Sequence, residues 1–191
     1  MLTLTRALAH QRHAAARLRD GFMVESELQP RIDAGALALE EVPVAAYPKR
    51  YSGDGGSGAA RIASPDAERE PDADSDSEWD TDAYIAHWRD DLAGLIELSV
   101  AWNGYARVDN LVVDTAFRRH GIARALLRQA FHWCRERNLP GVMLETQNNN
   151  VAACRLYAQC GFRLGGFDRE FYRGLDPHTR EIALFWYWRP D

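Results

Sequence analysis

The sequence predicts a single α+β domain, in which a mixed, mostly antiparallel sheet carries flanking helices. Three observations support this prediction. Segments of alternating apolar and polar residues recur in the first part of the chain, as in strands that bury one face. Two segments of helical spacing follow, separated by a short apolar run. With 191 residues, of which 46% are hydrophobic, the chain can bury one good core rather than two.

The N-terminal part of the chain combines strand and helix signals. Gly21 ends a helical segment, and Pro43 and Pro48 stand in a stretch without alternation, so we expect residues 43–51 to be irregular. The patterns predict a strand at residues 2–5, a helix at 9–19, and strands at 23–28 and 36–42.

Residues 52–82 differ sharply in composition from the rest of the chain. Four glycines are followed by aspartate or glutamate at nearly every second position, with few apolar residues between them. Because such a segment cannot offset its ordering entropy by burial, we expect a mobile acidic loop. The loop could steer a cationic substrate by its charge. The simpler interpretation is a tolerated insertion, since long surface loops cost little free energy.

The C-terminal part of the chain alternates strands with helices. The dipeptide Asn103-Gly104 is a strong hairpin signal, and residues 89–91 predict another turn. The patterns predict strands at residues 84–88, 95–100, 105–113, 141–146, 162–167 and 182–188, and helices at 125–133 and 150–159.

Charge and cysteine content exclude several functional classes. A net charge of -5 argues against a general nucleic-acid-binding protein. No apolar run approaches the ~20 residues of a membrane span, and the N-terminus lacks the apolar centre of a secretory signal. We therefore expect a soluble, cytoplasmic protein without a membrane partner. Cys134, Cys154 and Cys160 show no CxxC spacing, so we expect neither a disulfide framework nor a metal site.

Residues 118–123 form a candidate anion-binding turn between a predicted strand and a predicted helix. Gly121 and Ala123 are small, so backbone N–H groups can approach a pyrophosphate, and the helix N-terminus adds partial positive charge. Arg118 and Arg119 add formal charge beside it. The turn therefore predicts a phosphate-binding site.

A second motif follows downstream on the next predicted helix. Asn150, Ala153 or Cys154, and Tyr157 recur at helical spacing and share one face, and Gly161 ends the helix. Taken alone, this motif could also be an ordinary amphipathic helix with Tyr157 half-buried in the core.

The two motifs together resemble the acetyl-CoA signature of the GCN5-related N-acetyltransferase (GNAT) superfamily. The first reads R-x-x-G-x-A after a D-x-L-x-V strand, and the second reads N-x-x-A-x-x-x-Y-x-x-x-G-F. The resemblance implies a GNAT-type sheet in which two central strands, ending near Val113 and Thr146, splay apart at a β-bulge around the pantetheine arm. It implies that acetyl-CoA, the acyl donor, contacts Leu111, Val112, Val113, Arg118, Arg119, His120, Gly121, Ile122, Ala123, Asn150, Ala153 and Tyr157.

The resemblance also implies catalytic roles. Backbone groups of Leu111 and Val113 would pair with the pantetheine amides, and the Val113 N–H would polarise the thioester carbonyl. Tyr157 would protonate the departing thiolate. An amine with a pKa near 10.4 must lose a proton before it attacks, which requires a base or a water chain. Asp109 and Glu145 are the candidate bases, and either could instead be a structural group or a substrate anchor.

Beyond the cofactor motifs, the chain resembles the streptothricin acetyltransferases within this superfamily. The matching pieces are W-N-G-Y at 102–105, L-E-T-Q at 144–147, C-G-F at 160–162 and E-I-A-L-F-W-Y at 181–187, with weaker matches at 23–28 and 48–51. That subgroup acetylates an amino group on the β-lysine arm of streptothricin. The long acidic insertion departs from its pattern.

A cationic acceptor requires carboxylates for its ammonium groups and aromatic faces for its apolar and cationic surfaces. Candidate acceptor-binding residues are Glu25, Glu27, Glu97, Trp102, Asp168, Tyr172 and Trp186. Because residues 184–188 alternate in direction, one aromatic set there fills the core, and the sequence does not say which.

Three functions remain open at this point. The first is acetyl-CoA-dependent N-acetyl transfer to a small cationic amine, by a monomer or homodimer. The second is acetylation of protein N-termini or lysines, and the third is a non-catalytic acetyl-CoA-binding module. The acidic and aromatic content favours a closed cation-binding pocket, and hence the first. A module without activity would have little reason to keep both Gly121 and Tyr157.

Overall fold

The computed structural model describes residues 1–8, 17–50 and 81–190. The described elements are β1 (Leu2–Arg6), β2 (Phe22–Asp33), β3 (Ala36–Lys49), β4 (Thr81–Trp88), β5 (Asp91–Val100), β6 (Ala106–Val113), α1 (Ile122–Glu136), β7 (Val142–Gln147), α2 (Val151–Gln159), β8 (Arg163–Asp168) and β9 (Ala183–Trp188). A single 3₁₀ turn, Thr115–Phe117, precedes α1.

A seven-stranded sheet forms the centre of the described part, in the order β1-β4-β5-β6-β7-β9-β8. Every neighbouring pair in it is antiparallel except β6 and β7, which are parallel. The predicted α+β class with a mixed, mostly antiparallel sheet is therefore confirmed. β2 and β3 pair only with each other, as a separate antiparallel ribbon, called here the β2–β3 ribbon.

Helix α1 covers one face of this sheet because its apolar residues recur at helical spacing. Its buried side chains include Leu126, Leu127 and Trp133, each of which is fully enclosed in the core. The helix ends before Asn138, which adopts a left-handed φ of 53°, a conformation typical of a residue that follows a helix. The helix predicted at 125–133 is thus confirmed, and it extends by a turn or less at each end.

Strands β6 and β7 diverge soon after they meet. They pair only at Ala106 with Val142 and at Arg107 with Met143. Further along, β6 stays paired with β5 and β7 stays paired with β9, so the gap lies between the two parallel strands. Asp109 has no opposite residue on β5 and forms a β-bulge, which bends β6 away from β7. The predicted splay at a β-bulge is confirmed.

The prediction of irregular chain at residues 43–51 is wrong for residues 43–49. β3 continues through both prolines to Lys49, with Pro43 opposite Ser26 and Pro48 opposite Met23. A proline cannot donate to a strand ladder, but β3 has a partner on one side only, so each proline can face the unpaired edge.

The prediction that the acidic loop extends to Asp82 is also wrong. Asp82 lies on β4 and is only 3% exposed. Trp133 Nε1 donates to its Oδ2 at 2.7 Å, Arg137 donates to the same oxygen at 3.1 Å, and Arg6 Nε donates to Oδ1. Three donors from distant segments therefore compensate the buried carboxylate, which composition alone could not reveal.

Two predictions fall outside the described residues. Most of the helix predicted at 9–19 and the rest of the predicted acidic loop, residues 52–80, belong to this part of the chain. Neither of the described helices is both long and apolar enough to cross a bilayer.

Candidate active site

A cavity of about 750 Å³ opens where β6 and β7 diverge. Its lining comprises Asp20, Phe22, residues 108–113, 117–119, 121–124 and 144–147, Asn150, Ala152, Ala153, Arg155, Leu156, Tyr157, Gln159 and Tyr172. The predicted site residues that meet in it are Asp109, Leu111, Val112, Val113, Arg118, Arg119, Gly121, Ile122, Ala123, Glu145, Asn150, Ala153, Tyr157 and Tyr172.

The backbone of β6 turns two N–H groups towards this cavity. On the side of β7, the Ala106 N–H donates to the carbonyl of Gly141, just before that strand, at 2.9 Å. On the side of β5, the Asp114 N–H donates to the Ala93 carbonyl at 3.0 Å. In a regular strand these two groups, eight positions apart, would point to the same side. The extra residue at Asp109 shifts the alternation by one. The N–H groups of Leu111 and Val113 therefore point to the open, β7 side.

The turn before α1 leaves space for a ligand against its backbone. Gly121 is the N-cap residue of α1 and adopts φ 78°, a left-handed conformation that favours glycine. A Cβ atom at this position would meet no other atom within 4 Å. Glycine has no side chain with which to cap the first turn of α1, and that turn carries no acidic residue. The backbone N–H groups of the first turn of α1 can therefore bind an anion.

The arginines of the turn have different surroundings. The Arg118 guanidinium donates to the carbonyls of Asp20 and Gly21, each at 2.9 Å, and so anchors that segment beside the cavity. Arg119 adopts φ 67° and is exposed at the cavity wall. His120 does not belong to the cavity lining; its ring lies 4.8 Å from that of Trp88.

Sequence analysis missed two further cations at the cavity. Arg124 lies one turn into α1 and donates to Gln159 at 3.3 Å, and Arg155 on α2 donates to Glu41 at 2.5 Å. The available sequence signal was their closeness to the two motifs: Arg124 is three residues after Gly121, and Arg155 is five residues after Asn150. Arg124 adds positive charge to the cavity near the N-terminus of α1, whereas Arg155 is paired with Glu41.

Helix α2 carries a buried phenol to the cavity. The Asn150 side chain accepts from the Ala153 N–H at 3.2 Å and caps the helix. Tyr157 is 7% exposed, and its ring lies against those of Phe162 and Trp186. Burial, with smaller contributions from neighbouring acidic groups, raises the pKa of Tyr157 well above its usual value. The phenol therefore stays protonated throughout the working pH range.

The two candidate bases differ in environment. Glu145 is largely enclosed, and the Tyr172 hydroxyl donates to its Oε1. Burial raises the pKa of Glu145 from 4.5 to about 7, Tyr172 partly opposes this shift, and the nearby Glu181 adds to it. Asp109 is exposed and pairs with Arg107 at 2.5 Å. At neutral pH, Glu145 can therefore accept a proton or release one.

The two tryptophans predicted to bind the acceptor lie away from the cavity. Trp186 is 5% exposed and packs in the core, because Leu144, Leu184 and Trp186 share the face of the sheet that the helices cover. Trp102 is 89% exposed in the turn between β5 and β6. Of the two aromatic sets on β9, the one with Trp186 therefore fills the core.

The four carboxylates predicted to bind the acceptor do not line the cavity either. Glu25 is exposed on β2, and Asp168 accepts from the backbone of Glu170. Glu97 accepts from the Asn110 side chain at 3.0 Å. Glu27 accepts from the Tyr47 hydroxyl at 3.2 Å. Among these acceptor candidates, only Tyr172 reaches the cavity.

A polar network that the sequence did not reveal attaches the β2–β3 ribbon to the end of β7. The Asn149 side chain donates to Glu181 at 3.0 Å and to the Tyr47 hydroxyl at 3.2 Å. Lys49 Nζ also donates to Glu181. The strand-end run Asn148-Asn149-Asn150 was the available sequence signal. This network holds Glu181, which is paired with Lys49, near Glu145.

Comparison with known proteins supports the geometry. The acetyltransferase (GNAT) family model matches residues 57–162. A streptothricin acetyltransferase of Escherichia coli is 43% identical over 116 residues, which are 61% of this chain and 67% of that protein. Streptothricin acetyltransferase A of Bacillus subtilis strain 168 is 36% identical over 107 residues, which are 56% of this chain and 61% of that protein.

A solved structure shares the whole fold. A protein from Bacillus anthracis strain Ames, in complex with acetyl coenzyme A, matches with a TM-score of 0.80 and 31% identity over 100% of both chains. In the described part of this chain, no group of three His, Cys, Asp or Glu side chains is arranged to hold a metal ion.

Proposed function

We propose, on the premise that this chain belongs to the acetyltransferase (GNAT) family, that it transfers the acetyl group of acetyl-CoA to a primary amine of a small cationic acceptor. One observation carries the proposal. One cavity joins an uncapped, arginine-flanked helix terminus to a half-buried carboxylate, that of Glu145, and a buried phenol, that of Tyr157. An anionic donor fits the first end, and acyl-transfer chemistry fits the second.

We place the donor along β6. Its pyrophosphate lies at the N-terminus of α1, where Gly121 leaves space and Arg119 and Arg124 add positive charge. Its pantetheine arm occupies the gap between β6 and β7 and pairs with the free N–H groups of β6. Arg118 contributes by holding the adjacent chain segment, since its guanidinium already donates to two carbonyls there.

We assign the thioester carbonyl to the N–H of Leu111, rather than to that of Val113 as the sequence suggested. The register of Arg107 with Met143 brings Glu145 level with the bulge. Leu111 is the nearer of the two donors to that level. There the N–H group can stabilise the negative charge that develops on the carbonyl oxygen as the amine attacks.

Glu145 is our candidate base and Tyr157 our candidate acid. The acceptor arrives as an ammonium, and Glu145 takes its proton so that the nitrogen can attack the thioester carbonyl. The tetrahedral intermediate then collapses, the C–S bond breaks, and Tyr157 protonates the departing sulfur; the second proton, which the nitrogen loses as the amide forms, restores the Tyr157 phenol. Asp109 is less suited because it is exposed and already paired with Arg107.

Streptothricin is our best candidate acceptor, at its β-lysine amine. Both curated relatives described above are named streptothricin acetyltransferases. The Glu145 carboxylate, with Glu181 nearby, suits an ammonium group of such a molecule. Acetylation would remove one of these charges and so provide antibiotic resistance.

An acceptor panel tests this proposal directly. We expect thiol release from acetyl-CoA with streptothricin, little with aminoglycosides or polyamines, and none with peptides that offer an N-terminus or a lysine. Activity on peptides alone would reject the small-molecule acceptor, and binding of acetyl-CoA without turnover on any amine would reject catalysis.

Gly121→Asp tests the placement of the pyrophosphate. A carboxylate there would repel the phosphates, and we expect the Kd for acetyl-CoA to rise about 10²-fold. Gly35→Asp is the matched control, because Gly35 has φ 82°, lies in the turn of the β2–β3 ribbon and also has open space around its Cβ position. Calorimetry should show weakened binding only for Gly121→Asp; equal affinities in the two variants would move the pyrophosphate elsewhere.

Tyr157→Phe tests the acid. The substitution keeps the ring and deletes the proton, so we expect kcat to fall about 10²-fold while acetyl-CoA affinity changes little. Tyr105→Phe is the control, since Tyr105 contacts the Tyr187 ring and does not line the cavity. Normal turnover by Tyr157→Phe would remove this residue from the mechanism.

Glu145→Gln tests the base. Only the ionised carboxylate can take a proton, so kcat/KM for the acceptor should rise as the pH passes about 7 and level off above it. In Glu145→Gln, we expect this rise to disappear and the plateau to fall about 10²-fold. Asp109→Asn should keep the rise; if it loses the rise and Glu145→Gln does not, Asp109 is the base.

A further inference from the structure

We propose that Gln147 recognises the acceptor, by hydrogen-bonding an uncharged polar group that lies next to the reacting amine. This inference rests on the proposed function, because it assumes that a small amine enters the cavity beside Glu145. It adds a specificity-determining residue that is neither the base nor the acid.

The state of the Gln147 side chain is the first observation. Gln147 is 2% exposed, and within the described residues neither its Nε2 nor its Oε1 has a hydrogen-bond partner. The residue nevertheless lines the cavity. A buried amide without partners costs free energy, so such a group suits a site whose partner arrives with a ligand.

The next residue, Asn148, shows what a structural amide looks like in the same place. Its Nδ2 donates to the Leu28 carbonyl at 3.2 Å, and its Oδ1 accepts from the Ile182 N–H at 2.9 Å. Asn148 thereby joins the β2–β3 ribbon to the chain that leads into β9. Gln147 makes no such bonds within the described residues, so a role in holding the fold does not account for its amide.

The position of Gln147 on β7 assigns it to the acceptor rather than to the nucleotide. Side chains alternate along a strand, so Gln147 shares a face with Glu145, whereas Leu144 faces the core under the helices. The nucleotide end of the cavity is built by α1 and α2, on that helical side. Tyr172 donates to Glu145 and so lies on the other face of the sheet, the one that Glu145 and Gln147 share. An amine that reaches Glu145 from this face also passes Gln147.

The chemistry of a carboxamide defines what Gln147 can select. Its oxygen accepts and its nitrogen donates, without a net charge, so its best partner is a neutral group with both functions, such as another carboxamide or a hydroxyl. The ammonium charges of the acceptor are matched by Glu145 and its acidic neighbours instead. Gln147 therefore distinguishes an amine that carries an adjacent carboxamide or hydroxyl from a simple polyamine.

Gln147→Met tests this assignment, because it keeps the length of the side chain and removes both polar atoms. With the acceptor that the wild-type protein acetylates fastest, streptothricin being the first tested, we expect kcat/KM to fall about 10- to 100-fold through a higher acceptor KM. The Kd for acetyl-CoA and the pH dependence should not change. Because no bond within the described residues is lost, the Tm should stay the same or rise.

The matched control is Asn148→Leu, which removes an amide that does have partners and should lower the Tm. Gln147→Asn provides a second variant in case the thioether packs poorly: it keeps the amide but shortens it, and should also raise the acceptor KM. A weaker Kd for acetyl-CoA in Gln147→Met would assign the residue to the donor, and a lower Tm with an unchanged KM would make it structural. Either result, or unchanged kinetics, overturns the inference.

The same assay separates this inference from the proposed function. If the wild-type protein acetylates peptides and no small amine, the proposed acceptor class is wrong, and Gln147→Met is then measured with the peptide. An unchanged KM for that peptide would reject the role of Gln147 as well.

Discussion

The chemistry of this protein depends on one extra residue in a strand. Asp109 has no partner on β5, and the bulge it forms bends β6 away from β7. The same insertion reverses the direction of the following N–H groups, so that Leu111 and Val113 face the gap. Without it, the two parallel strands would pair along their whole length, and neither the cavity nor its backbone donors would exist.

The cavity that results is electrically asymmetric along its length. The N-terminus of α1 and the nearby arginines make one end positive, whereas Glu145 is the carboxylate at the other end. This difference in charge suits the proposed pair of substrates, an anionic donor and a cationic acceptor. Burial adjusts the acidic end further, because it keeps Tyr157 protonated and brings the pKa of Glu145 to about 7.

Features set by local sequence were predictable. The Asn103-Gly104 turn, the span of α1 and the glycine turn before it depend on neighbouring residues, and the structure has each of them where expected. Features set by distant partners were not. The composition around Asp82 predicts a loop, because the bond from Trp133 is not visible in the sequence. Pro43 likewise predicts the end of a strand, because the sequence does not show that β3 pairs along one edge.

The same distinction applies within the site. Motifs predicted the residues of the proposed nucleotide end, since these residues are close in sequence. The proposed acceptor end involves β7, the chain before β9 and the β2–β3 ribbon. Five of the seven residues expected there are surface groups or hydrogen-bonded elsewhere, while Trp186 lies in the core. Only Tyr172 remains at the cavity. Spacing along the chain carries no information about which distant side chains converge.

The separate pairing of the β2–β3 ribbon has an evolutionary consequence. Its strand pairing is separate from the main sheet, and it is attached at the Glu145 end of the cavity by the Leu28 N–H bond to the Asn148 carbonyl and by side-chain bonds such as those of Asn149 with Tyr47 and Glu181. Substitutions at the exposed positions of this hairpin can therefore accumulate without disturbing the strands on either side of the gap, whereas Leu28 packs in the common core. Such an arrangement lets the surface beside Glu145 vary in sequence while the bulge and the glycine turn are inherited intact.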